Sequence, residues 1–190
     1  MTPLILASTS RYRRALLDRI GIPYEAVAPD FEEIEPPGVD PVGCARAFAE
    51  GKARAVAANR PEALVIGADQ VLEFEGRLLR KPGTLEEAAG QLHALAGRWH
   101  RLHSAVALVG PGGALREGVA TVELKVRALS AEEARRYVER DQPHGSVGGY
   151  VYERSGFLLF DEVRGSDDSA IVGLPLWLLG RLLREAGAAG

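Results

Sequence analysis

The hydrophobic positions of the chain alternate between short continuous runs and stretches with helical spacing. Short apolar runs bounded by turn signals are typical of buried strands, whereas apolar residues three and four apart are typical of helices. The apolar pattern predicts strands at residues 4–7, 23–28, 63–66 and 157–163, a hairpin of strands 71–74 and 77–79 about Glu75-Gly76, and two long strands at 99–109 and 115–126. The helical spacing predicts helices at residues 13–20, 42–58, 84–95, 130–140 and 175–186. Strands interleaved with helices predict an α/β (or α+β) fold, in which helices flank one mixed sheet and a crevice lies between two lobes.

Turn and capping signals support these boundaries. Gly21 follows the first predicted helix, at the position where a left-handed residue usually ends a helix. Ser130 and Glu133 have the spacing of a capping box at the start of the fourth helix. The stretch 29–41 is acidic and rich in proline, which predicts a loop.

Length and composition narrow the class of protein. A chain of 190 residues can bury roughly 70% of its unfolded surface, so we expect one domain over residues 1–190, divided into two lobes. The one cysteine, Cys44, excludes an internal disulfide and a cysteine-based zinc cluster. The net charge of −3 argues against a stable nucleic-acid complex. Without a long apolar run or a signal-peptide pattern, we expect no membrane association and a cytoplasmic location.

Lysine is scarce in this chain. Of 23 basic residues, only Lys52, Lys81 and Lys125 are lysine. Where arginine stands almost everywhere else, a retained lysine indicates a need for a compact ammonium or a titratable amine. Lys52 and Lys81 are therefore candidates for function, and the alternative for each is an ordinary solvated surface charge.

A polar and strongly basic turn follows the first predicted strand. The sequence Ser8-Thr9-Ser10-Arg11-Tyr12-Arg13-Arg14 places hydroxyls, backbone N–H groups and guanidinium groups at the start of a helix. Cations there oppose the helix dipole, and an anionic ligand would relieve this repulsion. The turn predicts a phosphate site that includes Ser8, Ser10, Arg13 and Arg14. The alternative is a serine cap followed by a solvated basic turn.

Asp69 follows the third predicted strand, where we expect a strand end. A carboxylate at that place can hold a metal ion or take a proton from water. The alternative is an aspartate that caps a turn. Glu33, in the acidic loop, could supply a further oxygen to a metal ion or lie on a solvated surface.

Four motifs together resemble the Maf family of cytoplasmic nucleoside triphosphate pyrophosphatases. In order, they are the turn 8–14, Gly67-Ala68-Asp69-Gln70, Lys81-Pro82 and Val172-Gly173-Leu174-Pro175-Leu176. The resemblance covers essentially the whole chain and implies a fold similar to that of the ITPase and Maf families. It also implies cleavage of a nucleoside triphosphate between the α and β phosphates, giving a monophosphate and pyrophosphate. The implied cofactor is a divalent cation such as Mg²⁺, Mn²⁺ or Co²⁺.

The resemblance implies a role for each matching residue. Asp69 matches the proton acceptor that activates water, and Lys81 matches a catalytic-motif lysine. Ser8, Ser10, Arg13, Arg14 and Lys52 match substrate-binding positions. Glu33 and Asp69 are the implied metal ligands.

Three positions divide the family by substrate. The subgroup acting on dTTP and UTP has Arg, Thr and Gln there, whereas this chain has Tyr12, Gln70 and Glu153, which resembles the subgroup acting on 7-methyl-GTP. An aromatic ring can stack on a cationic methylated base, and a carboxylate can accept from guanine N–H groups. The alternatives are that Tyr12 only packs and that Glu153 pairs with Arg154.

Two departures from the family pattern bear on the base. Arg11 replaces the usual proline, and Ser146 stands where the dTTP/UTP subgroup has a lysine. The prediction is therefore a nucleoside triphosphate pyrophosphatase favouring 7-methyl-GTP or other modified nucleotides. The alternatives are a dTTP/UTP pyrophosphatase of the same family and a nucleotide-binding regulator of cell division. A homodimer is the oligomer that the resemblance implies.

Overall fold

A computed structural model describes residues 2–143 and 145–188. Within those residues the strands are β1 (Leu4–Ala7), β2 (Glu25–Val27), β3 (Leu64–Phe74), β4 (Arg77–Leu79), β5 (Trp99–Val109), β6 (Leu115–Val126) and β7 (Phe160–Arg164). The helices are α1 (Arg11–Asp18), α2 (Pro41–Ala57), α3 (Leu85–Leu95), α4 (Ala131–Asp141), α5 (Ser169–Val172) and α6 (Leu176–Glu185). The predicted mixed α/β class is confirmed.

The strands form one mixed sheet in the order β2-β1-β3-β5-β6-β7, and β4 pairs with β3. β1 is parallel to both β2 and β3, whereas β3–β4 and β6–β7 are antiparallel. The register pairs Ala7, the last residue of β1, with Gly67 in the middle of β3. The polar turn that leaves β1 therefore begins beside the segment of β3 that carries Asp69.

β3 is longer than predicted, and this changes the position of Asp69. The sequence predicts a break at Gly67-Ala68-Asp69-Gln70, but the strand continues through these residues to Phe74. Gly67 serves close packing rather than a turn, because a Cβ atom there would lie 2.0 Å from the carbonyl oxygen of Ala49 in α2. Asp69 lies two residues further on and so shares the face of the strand that meets α2. The prediction that Asp69 marks a strand end is wrong.

Other elements also differ from the prediction, among them β2, which spans Glu25–Val27 rather than 23–28. α1 begins at Arg11 rather than Arg13, with Ser10 as its N-cap. β7 begins at Phe160, because Gly156–Leu159 form a 3-10 turn. The four-residue helix α5 was not predicted, since so short a segment has no helical periodicity to detect.

The chain divides into two compact units. The first comprises the chain up to Gln70, His103–Ala120 and the chain from Asp167 onward. Its apolar core is built from β1, α1, β3, β5 and α6, through Leu4, Leu6, Leu16, Leu17, Leu64, Ile66, Ala68, Val106, Leu108, Leu174, Leu179, Leu182 and Leu183. This core fixes the ends of β1 and α1, and hence the turn between them.

The second unit comprises Val71–Leu102 and Thr121–Ser166. Within it α3 packs against α4. Both helices begin with a complete capping box, Thr84 with Glu87 and Ser130 with Glu133. None of the helices in the described part of the chain has both the length and the apolar character needed to cross a membrane.

Candidate active site

Three charged side chains of the first unit converge on one point. The ammonium nitrogen Nζ of Lys52, on α2, lies 2.5 Å from Oδ1 of Asp69 and 2.5 Å from Oε1 of Glu33. Lys52 and Asp69 are 8% and 5% exposed, whereas Glu33 lies on an exposed loop. The close approach of α2 to β3 at Gly67 brings the lysine within reach of the carboxylate.

Burial changes the basicity of Asp69. Removal from water raises the pKa of this carboxyl above its ordinary value, and the nearby positive charges of Lys52 and Arg13 oppose part of the rise. The charge of Glu33 acts in the same direction as burial. A buried carboxylate with a raised pKa is a stronger base than one in water, which suits it to accept a proton near neutral pH.

The turn after β1 has the hydrogen bonds expected of a helix start. Oγ of Ser8 is buried and accepts from the backbone N–H of Ser10 at 3.2 Å. Oγ of Ser10 accepts from the backbone N–H of Arg13 at 3.4 Å, which caps α1. Arg13 is half-buried and Arg14 is exposed. The turn therefore presents cationic groups at the positive end of a helix, where a phosphate group would neutralise them.

Arg13 is held in one orientation. Its Nε–H donates to the carbonyl oxygen of Gly173 at 2.9 Å. Burial lowers the pKa of Arg13, and the charges of Asp69 and Glu33 oppose the shift. The guanidinium therefore senses the charges of Asp69 and Glu33. It stays protonated, as arginine does in proteins.

Gln70 is engaged by the protein itself. Its side-chain nitrogen Nε2 donates to the carbonyl oxygens of Ala170 at 2.7 Å and Ile171 at 3.0 Å, and lies 3.0 Å from Oγ of Ser104. Oγ of Ser104 also donates to the carbonyl of Ala170, at 2.7 Å. The amide nitrogen of Gln70 thus braces α5 rather than pointing at a ligand. Sequence reasoning missed Ser104 and α5, because these contacts join residues more than 30 positions apart.

The aromatic ring of Tyr12 contacts the guanidinium group of Arg11. The guanidinium carbon of Arg11 lies 4.7 Å from the centroid of the Tyr12 ring, and Nη2 of Arg11 donates to the phenol oxygen at 2.7 Å. Tyr12 is only half-buried. The ring is therefore partly accessible, and its contact with Arg11 has the geometry of a cation–π contact.

The other two candidate residues belong to the second unit. Lys81 is exposed and precedes the buried Pro82 in the segment after β4. Glu153 is exposed, and its neighbour Arg154 donates to the backbone carbonyl of Asp141 at 2.8 Å. The roles of Lys81 and Glu153 stay predictions.

The acidic residues near Lys52 fit a divalent cation that is also bound by the phosphate oxygens of a nucleotide. Residues 2–143 and 145–188 contain no group of three or more His, Cys, Asp or Glu side chains placed to hold a metal ion. Glu33 and Asp69, however, each bring one oxygen to the same ammonium, so those oxygens are at most about 5 Å apart. Mg²⁺ is usually bound by one or two carboxylates together with phosphate oxygens. This donor pair fits such a cation when a nucleotide supplies the remaining oxygens.

Comparison with solved structures shows similarity in fold. The structure of the Staphylococcus aureus Ham1 protein superposes with a TM-score of 0.54 at 16% identity, covering 97% of this chain and 100% of that protein.

Comparison with known sequences gives closer relatives. A protein of Xanthomonas campestris pv. campestris (strain 8004), named 7-methyl-GTP pyrophosphatase, is 44% identical, with 98% of this chain and 97% of the relative aligned. A protein of the same name from Aromatoleum aromaticum is also 44% identical, over 97% of this chain and 95% of the relative. The family described as Maf-like protein matches residues 3–186. The chain therefore belongs to the Maf-like protein family.

Proposed function

We propose that this protein hydrolyses nucleoside triphosphates between the α and β phosphates, releasing a nucleoside monophosphate and pyrophosphate, with 7-methyl-GTP as its favoured substrate. The observation that carries the proposal is the buried carboxyl of Asp69, with its raised pKa, beside the cationic groups of Lys52 and Arg13. The sequence relatives named 7-methyl-GTP pyrophosphatase support the same reaction.

In this mechanism Asp69 is the general base. Its carboxylate takes a proton from a water molecule, whose oxygen bonds to phosphorus at the α–β anhydride. The anhydride P–O bond then breaks, its electron pair stays with the departing phosphate oxygen, and Asp69 returns the proton to solvent. Burial favours this role, because it raises the pKa of Asp69 toward the range in which a base works well near neutral pH.

The cationic groups bind and neutralise the triphosphate. Arg13 and Arg14 lie in the first turn of α1, and Ser8 and Ser10 order the backbone that leads into it. Lys52 supplies a compact charge beside Asp69. Phosphoryl transfer depends largely on such positioning and charge neutralisation, since negative charge is spread over several oxygens.

A divalent cation completes this site in the proposal. Glu33 and Asp69 would hold it, beside the ammonium group of Lys52. When bound, such a cation supplies additional neutralisation of phosphate charge and polarises the bond under attack.

Tyr12 supports the choice of 7-methyl-GTP. Methylation at N7 gives guanine a positive charge, and the half-buried Tyr12 ring already accepts a cation from Arg11. In the proposal Glu153 accepts hydrogen bonds from guanine N–H groups. Gln70 does not contact the base and instead holds α5 in place through its hydrogen bonds to Ala170 and Ile171.

A substrate panel tests the proposal. Purified protein with Mg²⁺ or Mn²⁺ is given 7-methyl-GTP, GTP, dTTP and UTP at equal concentration, and pyrophosphate release is measured. We expect the highest kcat/KM for 7-methyl-GTP. Faster turnover of dTTP and UTP would assign the protein to the alternative substrate class, and no pyrophosphate from any triphosphate would refute the enzymatic function.

A further inference from the structure

We propose that Asp167 and Ser169 are positioning residues for Arg13: by fixing the backbone carbonyls of residues 170–173, they set the orientation of the guanidinium that binds the triphosphate. This inference rests on the proposed function for its substrate, but the geometry that carries it lies within the first unit.

Asp167 and Ser169 form a buried polar pair that joins the starts of two helices. They are 5% and 4% exposed. Oδ1 of Asp167 accepts from the backbone N–H and the hydroxyl of Ser169, and Oδ2 accepts from the backbone N–H of Trp177 at 3.0 Å. Oγ of Ser169 in turn accepts from the backbone N–H of Leu176 at 2.7 Å. The pair thereby ties α5 to the first turn of α6.

The segment held in this way presents carbonyl oxygens to the site. In a longer helix the carbonyl of Ile171 would bond to the N–H of residue 175, but Pro175 has none. Nε2 of Gln70 donates to this carbonyl instead, at 3.0 Å. Gly173 then ends α5 with a φ of 102°, a conformation that favours glycine.

The carbonyl of Gly173 is the one that holds Arg13. Nε–H of Arg13 donates to it at 2.9 Å, which engages the nitrogen nearest the stem and fixes the plane of the guanidinium beside Gly173. An arginine recognises phosphate through a planar fork, so rotation of that fork changes how many hydrogen bonds it makes. A displacement of residues 170–173 would therefore pass directly to the phosphate contact.

A purely structural role would be a simpler function for this pair, since capping residues stabilise helices wherever they occur. The two roles differ in what they predict for Arg13. A stabilising cap changes unfolding free energy alone, whereas a positioning residue also changes the hydrogen bond at Arg13 Nε and the affinity for phosphate.

The direct test is nuclear magnetic resonance of the Arg13 Nε–H group, assigned with an Arg13→Lys variant. In Asp167→Asn an NH₂ group replaces one carboxylate oxygen. This donor then faces another donor, either the backbone N–H of Trp177 or the backbone N–H of Ser169. In Ser169→Ala the hydroxyl is absent. We expect hydrogen exchange at Arg13 Nε to accelerate in both variants and to remain slow in Ser169→Thr, which keeps the hydroxyl. Ser130→Ala, which removes the cap of α4, is the matched control for lost helix capping.

Binding of inorganic tripolyphosphate, measured by calorimetry, gives a second readout. We expect Asp167→Asn to weaken it about 10-fold in the wild-type background, and by less than about 2-fold when Arg13 is already Lys. Unchanged exchange at Arg13 together with unchanged tripolyphosphate affinity would overturn the inference. So would equal effects in the two backgrounds. Neither measurement requires turnover, so a failure here is distinct from a failure of the substrate panel.

Discussion

Nζ of Lys52 lies 2.5 Å from Oδ1 of Asp69, and both side chains are buried. The two residues are 17 positions apart, on α2 and β3, and meet because Gly67 lets the helix approach the strand. Burial raises the pKa of Asp69, and the ammonium of Lys52 opposes this rise. The carboxyl therefore stays ionised at lower pH than it would if it were buried without the lysine.

Removing this ammonium should change the pH dependence of turnover. In Lys52→Met the pKa of Asp69 is raised further, so the acidic limb of the kcat/KM profile should move to higher pH. Lys52→Arg keeps a positive charge and should leave the limb closer to its wild-type position. The measurement is kcat/KM across about pH 5 to pH 9. Lys125→Met, which removes a more exposed lysine paired with Glu162, is the control. An unmoved acidic limb in Lys52→Met contradicts the account.

The ring of Tyr12 should set the preference for a methylated base. A cation–π contact contributes about 0.5–2 kcal/mol, so Tyr12→Ala should reduce the kcat/KM ratio of 7-methyl-GTP to GTP by about 2- to 30-fold. Tyr12→Phe keeps the ring and should largely keep the ratio. Equal ratios for the wild type and Tyr12→Ala would show that the ring only packs.

Lys81 should be intolerant of arginine, although this chain uses arginine at most basic positions. If Lys81 contacts the triphosphate, the larger planar group displaces that contact, and we expect Lys81→Arg to lower kcat/KM about 10- to 100-fold. Lys125→Arg is the matched control, because Lys125 makes an ion pair with Glu162 at 3.3 Å on the surface, and its rate should stay within about 2-fold of wild type. A wild-type rate for Lys81→Arg would remove Lys81 from the mechanism.

A buried histidine in the second unit should make the protein sensitive to acid. His100 is 2% exposed, and its Nε2 lies 2.8 Å from the phenol oxygen of Tyr150. Burial lowers the pKa of His100 to about 4. In the unfolded chain it is about 6.5. The folded form favours the neutral ring, so its contribution is present above the unfolded pKa and is lost as pH falls from about 6.5 toward 4.

The size of this effect follows from the two pKa values. Between pH 7 and pH 4.5 the free energy of unfolding should fall by about 2–3 kcal/mol on account of His100. His100→Gln retains a partner for Tyr150 but does not titrate, so its unfolding free energy should fall less over the same range. Urea unfolding at several pH values measures the difference. Parallel curves for the two proteins would exclude His100 as the source.

The local features of the site could be predicted from the sequence. The hydrogen bonds of the turn after β1 join residues that are close in the sequence. Ser10 caps α1, as the polar residues before the basic ones indicate. The break predicted at Gly67 was wrong, because a glycine that serves a turn and one that serves close packing look the same in a sequence. Only the position of α2 distinguishes them.

The supporting contacts could not be predicted, because they join distant parts of the chain. Gln70 reaches residues about 100 positions away, and Arg13 bonds to a carbonyl 160 positions away. The acceptors in both cases are backbone carbonyls, which carry no residue-specific signal. The Asp-x-Ser spacing at Asp167 and Ser169, just before Gly173-Leu174-Pro175, is a local sign of the hydrogen-bonded turn that leads into α5.

The most direct test of the central claim compares pyrophosphate release from 7-methyl-GTP by the wild type and Asp69→Asn, alongside calorimetric binding of tripolyphosphate. The account predicts that Asp69→Asn loses about 10²- to 10⁴-fold in kcat, because the general base is gone, while tripolyphosphate still binds. Asp161→Asn, which changes an exposed aspartate on β7, should release pyrophosphate at the wild-type rate. Undiminished release by Asp69→Asn would contradict the account.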